Sequence, residues 1–445
     1  MLAGCVVSPA YHRPATPVPP SFRDVPATTT EDAASFADLP WWETFHDPAL
    51  ETLIRTALER NYNVRIAAEQ ITAAREQLGI TLANRQPHVT AVGGYSGGKS
   101  MQAQRDTHVF AVNADVSYQL DLFGGLRSAT EASRAQFLAT EEARRTVVMT
   151  LVSDLATDYY QLLSLDLQLQ IARDTVQSQN ESLRITGLRV AGGTATKVDA
   201  LQARQVLDAA VSRIPDLERQ AGRLEDAISL LLGNYPEATP RGLALTDQYL
   251  APDLPPGLTS ALLERRPDIR QAETNLMYYN AEIGVARAAL YPQVAITGAL
   301  GPTAILTSLL NSRSAVWTWG SSLTDSVFNR KMLQSKVKVA ESVQRQALLS
   351  YSQTIQRAFG EVADALIDYR QYRELRLRQE QALATLQESV RLATMRYQGG
   401  VTTYLEVLDT QRSLFAQQLA LVQTRGYEYQ SVVKLYKALG GGWQQ

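Results

Sequence analysis

The amino-acid sequence predicts a duplicated, mixed α/β fold: two copies of one unit, each joining very long coiled-coil helices to a pair of amphipathic strands of bilayer-crossing length. Three observations carry this prediction. Residues 58–94 align on 263–299 without a gap, at a constant offset of 205. Proline, which breaks helix interiors, is absent between Pro87 and Pro215 and again after Pro302. Between the candidate helices, apolar and polar side chains alternate with period two.

The repeat sets the organisation. Leu58-Glu59-Arg60 meets Leu263-Glu264-Arg265, Arg65 meets Arg270, Gly79 meets Gly284, Pro87 meets Pro292 and Phe123 meets Phe328. Further on the offset is 207, and Gly192-Gly193 meets Gly399-Gly400, Asp199 meets Glu406, and Leu232-Gly233 meets Leu439-Gly440. The chain therefore divides into a proline-rich lead (1–40), a first repeat (41–235), a linker (236–260) and a second repeat (261–445). Each repeat reads helix, two strands, long helix, hairpin and return helix.

The longest helix candidate runs from Leu126 to Thr186 with no glycine or proline, 61 residues or roughly 90 Å at 1.5 Å per residue. An apolar residue recurs every seventh position: Val148, Leu155, Leu162, Leu169, Val176, Leu183, Val190. That is a coiled-coil seam, although its companion positions are mixed. The second copy keeps most of it, through Ile355, Val362, Tyr369, Arg376, Leu383, Val390 and Tyr397. Both long helices end at a glycine pair, in hairpins at 190–196 and 397–403, where glycine supplies the left-handed cap. Thr194 and Thr196, then Thr402 and Thr403, are placed to cap the return helices. Pro215 is expected to kink or break the first of these.

Strands are expected within 88–121 and 293–324. From Phe110 to Asp121 the alternation is strict: Phe110, Val112, Ala114, Val116, Tyr118 and Leu120 against Ala111, Asn113, Asp115, Ser117, Gln119 and Asp121. Val89, Ala91, Gly93 and Tyr95 precede it; Val294, Ile296 and Leu300, then Trp317, Trp319 and Leu323, repeat it. Strands of ten to twelve residues match the roughly 9–11 that cross a bilayer in a tilted barrel. Four strands cannot close such a barrel, whose smallest members have about eight. Either the sheet is buried in a soluble domain or several copies share one barrel.

Composition removes other classes. With 43 Lys+Arg against 45 Asp+Glu there is no basic field for nucleic acid. A single cysteine excludes a disulfide framework, and His12, His46, His88 and His108 have no zinc-ligand spacing. No apolar run reaches the ~20 residues of a membrane-spanning helix. No catalytic set emerges, because no His or Cys partner stands at a useful spacing to serve as base, so an enzyme is not expected. Gly93–Ser100 satisfies the phosphate-loop pattern G-x-x-x-x-G-K-S, but no helix opens at Ser100 to hold a phosphate. A glycine-rich turn between strands accounts for the same letters. Leu2-Ala3-Gly4-Cys5, ahead of a proline-rich lead expected to be disordered, fits a lipoprotein acylation site, with a covalent lipid on Cys5 and no other cofactor.

These residues resemble the TolC-like outer-membrane factors, in particular the OprM/NodT-type lipoproteins of tripartite efflux pumps. The resemblance covers nearly the whole chain. It is carried by Cys5 with Pro9-Ala10-Tyr11, by Trp41-Trp42-Glu43-Thr44-Phe45-His46-Asp47-Pro48, and by Leu254-Pro255-Pro256-Gly257-Leu258. Leu262 through Ile269, Ile283 through Ala288, Tyr404 through Arg412 and Leu435 through Trp443 complete it. The resemblance implies a homotrimer in the bacterial outer membrane, four strands per protomer forming a 12-stranded barrel and the helices a periplasmic tunnel. It further implies a passive duct that docks a periplasmic adaptor and an RND-type inner-membrane pump. The periplasmic gate maps onto Leu405 and Asp409, with Val198 and Gln202 at the same places in the first copy. The adaptor-contacting tip maps onto Arg189, Gly192, Gly193, Thr194, Arg396, Gly399, Gly400 and Val401. Phe328-Asn329-Arg330-Lys331 departs from the family, which often places a glycine after the strand. The reading from a different class is a non-conducting coiled-coil spacer between envelope layers, for which four amphipathic strands have no use.

Overall fold

A computed structural model describes residues 7–22, 35–100, 105–248, 259–305, 315–325 and 328–443. In chain order these form α1 (Trp41–Phe45), α2 (Pro48–Arg60), α3 (Tyr62–Ala83), β1 (His88–Ser100), β2 (Arg105–Leu120), α4 (Gly125–Ala191) and α5 (Lys197–Leu231). The second half gives α6 (Leu262–Arg265), α7 (Pro267–Ala288), β3 (Gln293–Ile305), β4 (Ala315–Thr324), α8 (Arg330–Gln398) and α9 (Tyr404–Ala438). Two compact units result. One holds residues 1–17, 68–143 and 268–354; the other holds 18–67, 144–267 and 355–445. Each unit draws on both repeats.

The duplication recurs as contacts made twice. Where α2 breaks before α3, Asn61 Nδ2 donates to the Leu231 carbonyl at 2.9 Å. Where α6 breaks before α7, Arg266 Nη1 donates to the Ala438 carbonyl at 3.0 Å. The return helices end beside these breaks at Gly233 (φ 74°) and Gly440 (φ 85°). A Cβ on Gly233 would sit 2.7 Å from the Arg60 carbonyl oxygen, and one on Gly440 3.2 Å from that of Arg265. Both glycines are thus required by backbone angle and by close approach.

In the first unit the strands form one antiparallel sheet in the order β1-β2-β3-β4. Val89 pairs with Val116, Ala114 with Leu300 and Leu300 with Trp317, so these residues share a face. Tyr95, Val112, Tyr118, Ile296, Trp319 and Leu323 lie on that side too. The other side carries mostly Thr90, Asn113, Asp115, Ser117, Thr297, Thr318 and Ser322. The glycine-rich run Gly93–Ser100 is not a turn: it lies inside β1, paired from Gly93↔Val112 to Ser100↔Arg105. With no strand-to-helix loop there, the phosphate-loop pattern has no structural counterpart. β2 is 16 residues long, beyond the ten to twelve that the alternation marks.

The lead, expected to be disordered, is packed where described. Tyr11 Oη donates to Glu273 at 3.4 Å, Arg13 pairs with Glu273 at 2.9 Å, and Asn280 Nδ2 donates to the Pro9 carbonyl at 2.9 Å. Backbone fixed by proline and salt-bridged side chains offset the ordering cost that composition alone suggested. Cys5 lies outside the described residues.

In the second unit, Val148, Leu155 and Leu162 of the α4 seam are buried, as are Ile355, Val362 and Tyr369 of α8. Most of the mixed companion positions are buried as well, namely Leu151, Leu165, Ala172, Gln179 and Thr186, while Asp158 is half-buried. Asp47, 2 % exposed, ties this unit's layers together. It caps α2 through Ala49 N (2.8 Å) and accepts from Tyr159 Oη (3.0 Å), Leu243 N (3.2 Å) and Gln248 Nε2 (2.5 Å). Of the kink or break expected at Pro215 there is no break: α5 runs on through it. The proline removes one intrahelical bond, at the Val211 carbonyl, and Val211 is exposed, so water can take the vacant acceptor.

Candidate functional site

Two surfaces concentrate chemistry, one in each unit. In the second unit, the hairpins that end α4 and α8 are built alike. Gly193 (φ 73°) and Gly400 (φ 74°) take the left-handed position. Thr194 N returns to the Arg189 carbonyl at 2.8 Å, and Val401 N to the Arg396 carbonyl at 2.9 Å. Their N-caps differ. Thr196 forms a full capping box with Asp199, whereas Thr403 makes no side-chain cap. Thr402 Oγ1 instead donates to Glu406 at 2.6 Å, and Arg396 reaches Glu406 at 3.4 Å.

The hairpins are joined to each other. The Arg189 guanidinium stands 4.5 Å from the Tyr397 ring centroid, a cation–π contact between the last turn of α4 and the last turn of α8. Tyr397 meets Tyr404 edge-on at 5.1 Å, and the Tyr404 hydroxyl lies 3.1 Å from Ser182 Oγ. Burial raises both phenols above their ordinary pKa, so both stay protonated at neutral pH. Tyr404, Val407 and Leu408 of α9 pack with Ala203 and Val206 of α5 and Ala393 of α8.

That packing decides what α9 presents outward. Leu405, 55 % exposed, and Asp409, also exposed, form a stripe one turn apart on the side away from Tyr404 and Leu408. Val198 is likewise exposed and Gln202 half-buried, so the first copy offers an apolar and an uncharged residue there. Of the tip residues, Gly192, Gly193, Thr194, Arg396, Gly399, Gly400 and Val401 are exposed, while Arg189 is half-covered by its aromatic partner. The Arg189–Tyr397–Tyr404–Ser182 chain was not expected from the sequence. The only signal was two tyrosines flanking the second glycine pair.

Deeper in the same unit, α4, α8 and α9 line a cavity of about 250 Å³ that includes Asp174, Ser178, Gln179, Gln411 and Gln418. The Gln179 and Gln411 amide oxygens there have no protein partner. Among the described residues no cluster of three His, Cys, Asp or Glu side chains is arranged to hold a metal.

In the first unit, the apolar face of the sheet is bare. Trp319 is 76 % exposed, and Trp317, Leu323, Leu300, Val89 and Tyr95 are all exposed. Aromatic and aliphatic side chains on one face, with Thr, Ser, Asn and Asp opposite, divide lipid from water across a barrel wall. Among the described residues no helix is long and apolar enough to cross a membrane. Below the sheet, Asp121 accepts from Leu126 N (3.0 Å) and Arg127 N (2.9 Å), fixing the start of α4, and Phe123 stacks on Tyr291 at 4.6 Å.

The outer membrane efflux protein family matches this chain twice, over residues 53–234 and 258–441, one match for each repeat. The chain belongs to that family. The cation efflux system protein CusC of Escherichia coli (strain K12) is 35 % identical over 443 residues, covering 99 % of this chain and 97 % of CusC. The probable outer membrane lipoprotein SilC of Salmonella typhimurium is 34 % identical, covering 100 % and 97 %. Among solved structures, CusC superposes with a TM-score of 0.90 over 98 % of this chain and 100 % of that one, at 35 % identity. The open-state outer membrane channel MtrE of Neisseria gonorrhoeae gives 0.91 at 29 % identity, covering 99 % of each chain. This member of the family is accordingly an outer-membrane efflux channel. Its long helices contribute to the tunnel, its four strands to the barrel, and it acts as the exit duct of an efflux pump. Its relatives are efflux channel proteins.

Proposed function

We propose that the working channel is a homotrimer, three four-stranded sheets closing one 12-stranded barrel, which docks a periplasmic adaptor and an RND-type inner-membrane pump. One observation carries this reading: among the described residues the sheet is apolar on one face yet has two unpaired edges, β1 and β4. Each unpaired backbone group in hydrocarbon costs several kcal/mol, and only closure removes an edge. Pairing β4 of one copy with β1 of the next satisfies both. Leu405 and Asp409 then form the periplasmic constriction, an apolar ring beside an acidic one. The exposed glycine hairpins, with Arg189, Thr194, Arg396 and Val401, meet the adaptor. The lipid sits on Cys5, a reading supported by the lipoprotein description of SilC. Energy comes from the pump, and the channel itself performs no chemistry.

Sedimentation in detergent tests the assembly, and conductance of the same material in a planar bilayer tests the duct. A trimer with discrete conductance is expected. A well-folded monomer would overturn the shared barrel, and a trimer that never conducts would favour a spacer.

A further inference from the structure

Helix α4 of the first repeat and α9 of the second run antiparallel along one seam. Gln430 Nε2 donates to Gln161 Oε1 at 2.6 Å, and Ser164 Oγ donates to the Val422 carbonyl at 3.3 Å. Toward the glycine hairpins, Ser182 Oγ lies 3.1 Å from the Tyr404 hydroxyl. Between Ser164 and Ser182 the seam parts. The cavity of about 250 Å³ fills that gap, lined by Ile171, Asp174 and Gln179 on α4 and by Gln411, Leu414 and Phe415 on α9. Val390 of α8 adds to the lining.

Hydrogen bonding around this cavity is incomplete. Gln179 is only 5 % exposed, yet its Oε1 is buried with no partner among the described residues. Gln411 Oε1 is buried and unpartnered in the same way. Thr175, also in the lining, directs its one proton to the Ile171 carbonyl at 2.7 Å, so only its lone pairs remain. Asp174, exposed where the cavity meets solvent, accepts from Gln170 Nε2 at 2.8 Å through Oδ1 and keeps Oδ2 free. Buried polar atoms nearly always find a partner, so two orphaned oxygens in one cavity call for an occupant.

The lining decides its chemistry. It offers acceptors and one negative charge, and it holds no Lys, Arg or His. The complement is a cation that donates hydrogen bonds. A metal ion matches poorly: among the described residues no three His, Cys, Asp or Glu side chains gather to hold one. Ile171, Val390, Leu414 and Phe415 would also stand against its water shell with nothing to bond. Those four suit an apolar body instead. A dry cavity of ~150 Å³ accommodates benzene. One of about 250 Å³ therefore has room for an aromatic ring, a short chain and an ammonium group.

We propose that this cavity binds a small amphipathic amine, its ammonium group donating to Gln179, Gln411 and Asp174 and its apolar body lying against Leu414 and Phe415. A primary ammonium carries three N–H donors, one for each of these acceptors. The site lies within one chain and stands whether or not three chains assemble. Its occupant bridges the first repeat to the second, so binding stabilises the packed seam.

Isothermal titration calorimetry of the full-length protein in detergent tests it, with phenethylamine hydrochloride as the probe. The titration is run in an Asp409→Ala background, which removes the acidic residue of the proposed gate as a competing site. Saturable binding of one amine per chain is expected, together with a higher melting temperature. Gln179→Leu should weaken binding roughly tenfold or more, because a hydrogen bond to a charged group is lost. Asp174→Asn alters only an exposed charge, and it should weaken binding by a factor that shrinks as salt is added. This variant keeps the test open if Gln179→Leu disturbs folding. Phenethyl alcohol, with the same body and no charge, should bind far more weakly. The absence of saturable binding, as for a cavity that holds water alone, overturns the proposal. So does equal affinity for the alcohol, or an affinity that neither substitution changes.

Discussion

Replacing Arg189 by alanine should loosen the proposed periplasmic tip. The guanidinium lies 4.5 Å from the Tyr397 centroid and joins the two hairpins of one protomer. A cation–π contact at a partly exposed site is worth about 0.5–1 kcal/mol. If opening separates the hairpins, all three contacts of a trimer break in the same event, a total of about 1.5–3 kcal/mol. Tenfold per ~1.4 kcal/mol turns that into roughly a 10- to 150-fold shift of the closed-to-open ratio. The assay is single-channel recording in a planar bilayer, scored as open probability. Arg189→Lys keeps the charge and should recover part of the effect; Tyr397→Leu should reproduce Arg189→Ala, because it removes the ring. Tyr397→Phe should behave as the parent, since the ring and not the hydroxyl faces the cation. An unchanged open probability in Arg189→Ala, with the trimer intact, would refute the idea that this contact holds the tip together.

At the proposed gate, Leu405→Ala combined with Asp409→Ala should raise conductance and weaken cation preference by removing bulk and an acidic ring; recordings that match the parent would place the gate elsewhere. Asp158 gives a pH signature. Burial, with Asp154 adding repulsion, raises its pKa to about 6 from 3.8, so the folded chain binds this proton more tightly than the unfolded one. Its contribution favours folding at low pH and is lost as pH rises from about 4 through 6. Asp158→Asn should therefore melt higher than the parent at pH 8 and equally at pH 4, and a constant difference across pH would contradict the assignment. For the lipid, the parent should incorporate labelled palmitate when expressed with a secretion signal and Cys5→Ala should not, while the barrel keeps Cys5→Ala in the outer membrane.

The sequence displayed best what depends on periodicity. Alternation from Phe110 to Asp121 marked β2 and its two faces, because side chains on a strand obey period two whatever they pack against. The β2–β3 pairing was not legible, since Val116 opposite Gly298 depends on segments about 180 residues apart. The α4 seam was visible at Val148, Leu155 and Leu162. Its companion positions, Gln179 and Thr186 among them, read only as mixed, and a heptad count does not register the neighbours that cover those two. Pro215 does not break α5, because a missing N–H at an exposed turn costs less when water replaces it. At the tip, the glycine pairs announced the hairpins. Arg189 on Tyr397 joins two hairpins from different repeats, and local patterning carries no trace of such a partner.

Because each compact unit takes segments from both repeats, neither can close while the chain is half made. The sheet needs β2 to meet β3 across the whole first set of long helices, and the second unit needs α9, the last helix of all. The nascent first repeat thus leaves the ribosome with the apolar faces that the second repeat covers still bare. Contacts this distant in sequence form slowly, and exposed strands invite wrong pairing in the interval. An outer-membrane protein also has the inner membrane and the periplasm to cross before its sheet reaches lipid. Biogenesis therefore calls for a holding factor throughout that passage. A single repeat expressed alone should aggregate rather than fold, even though it is the unit that was duplicated.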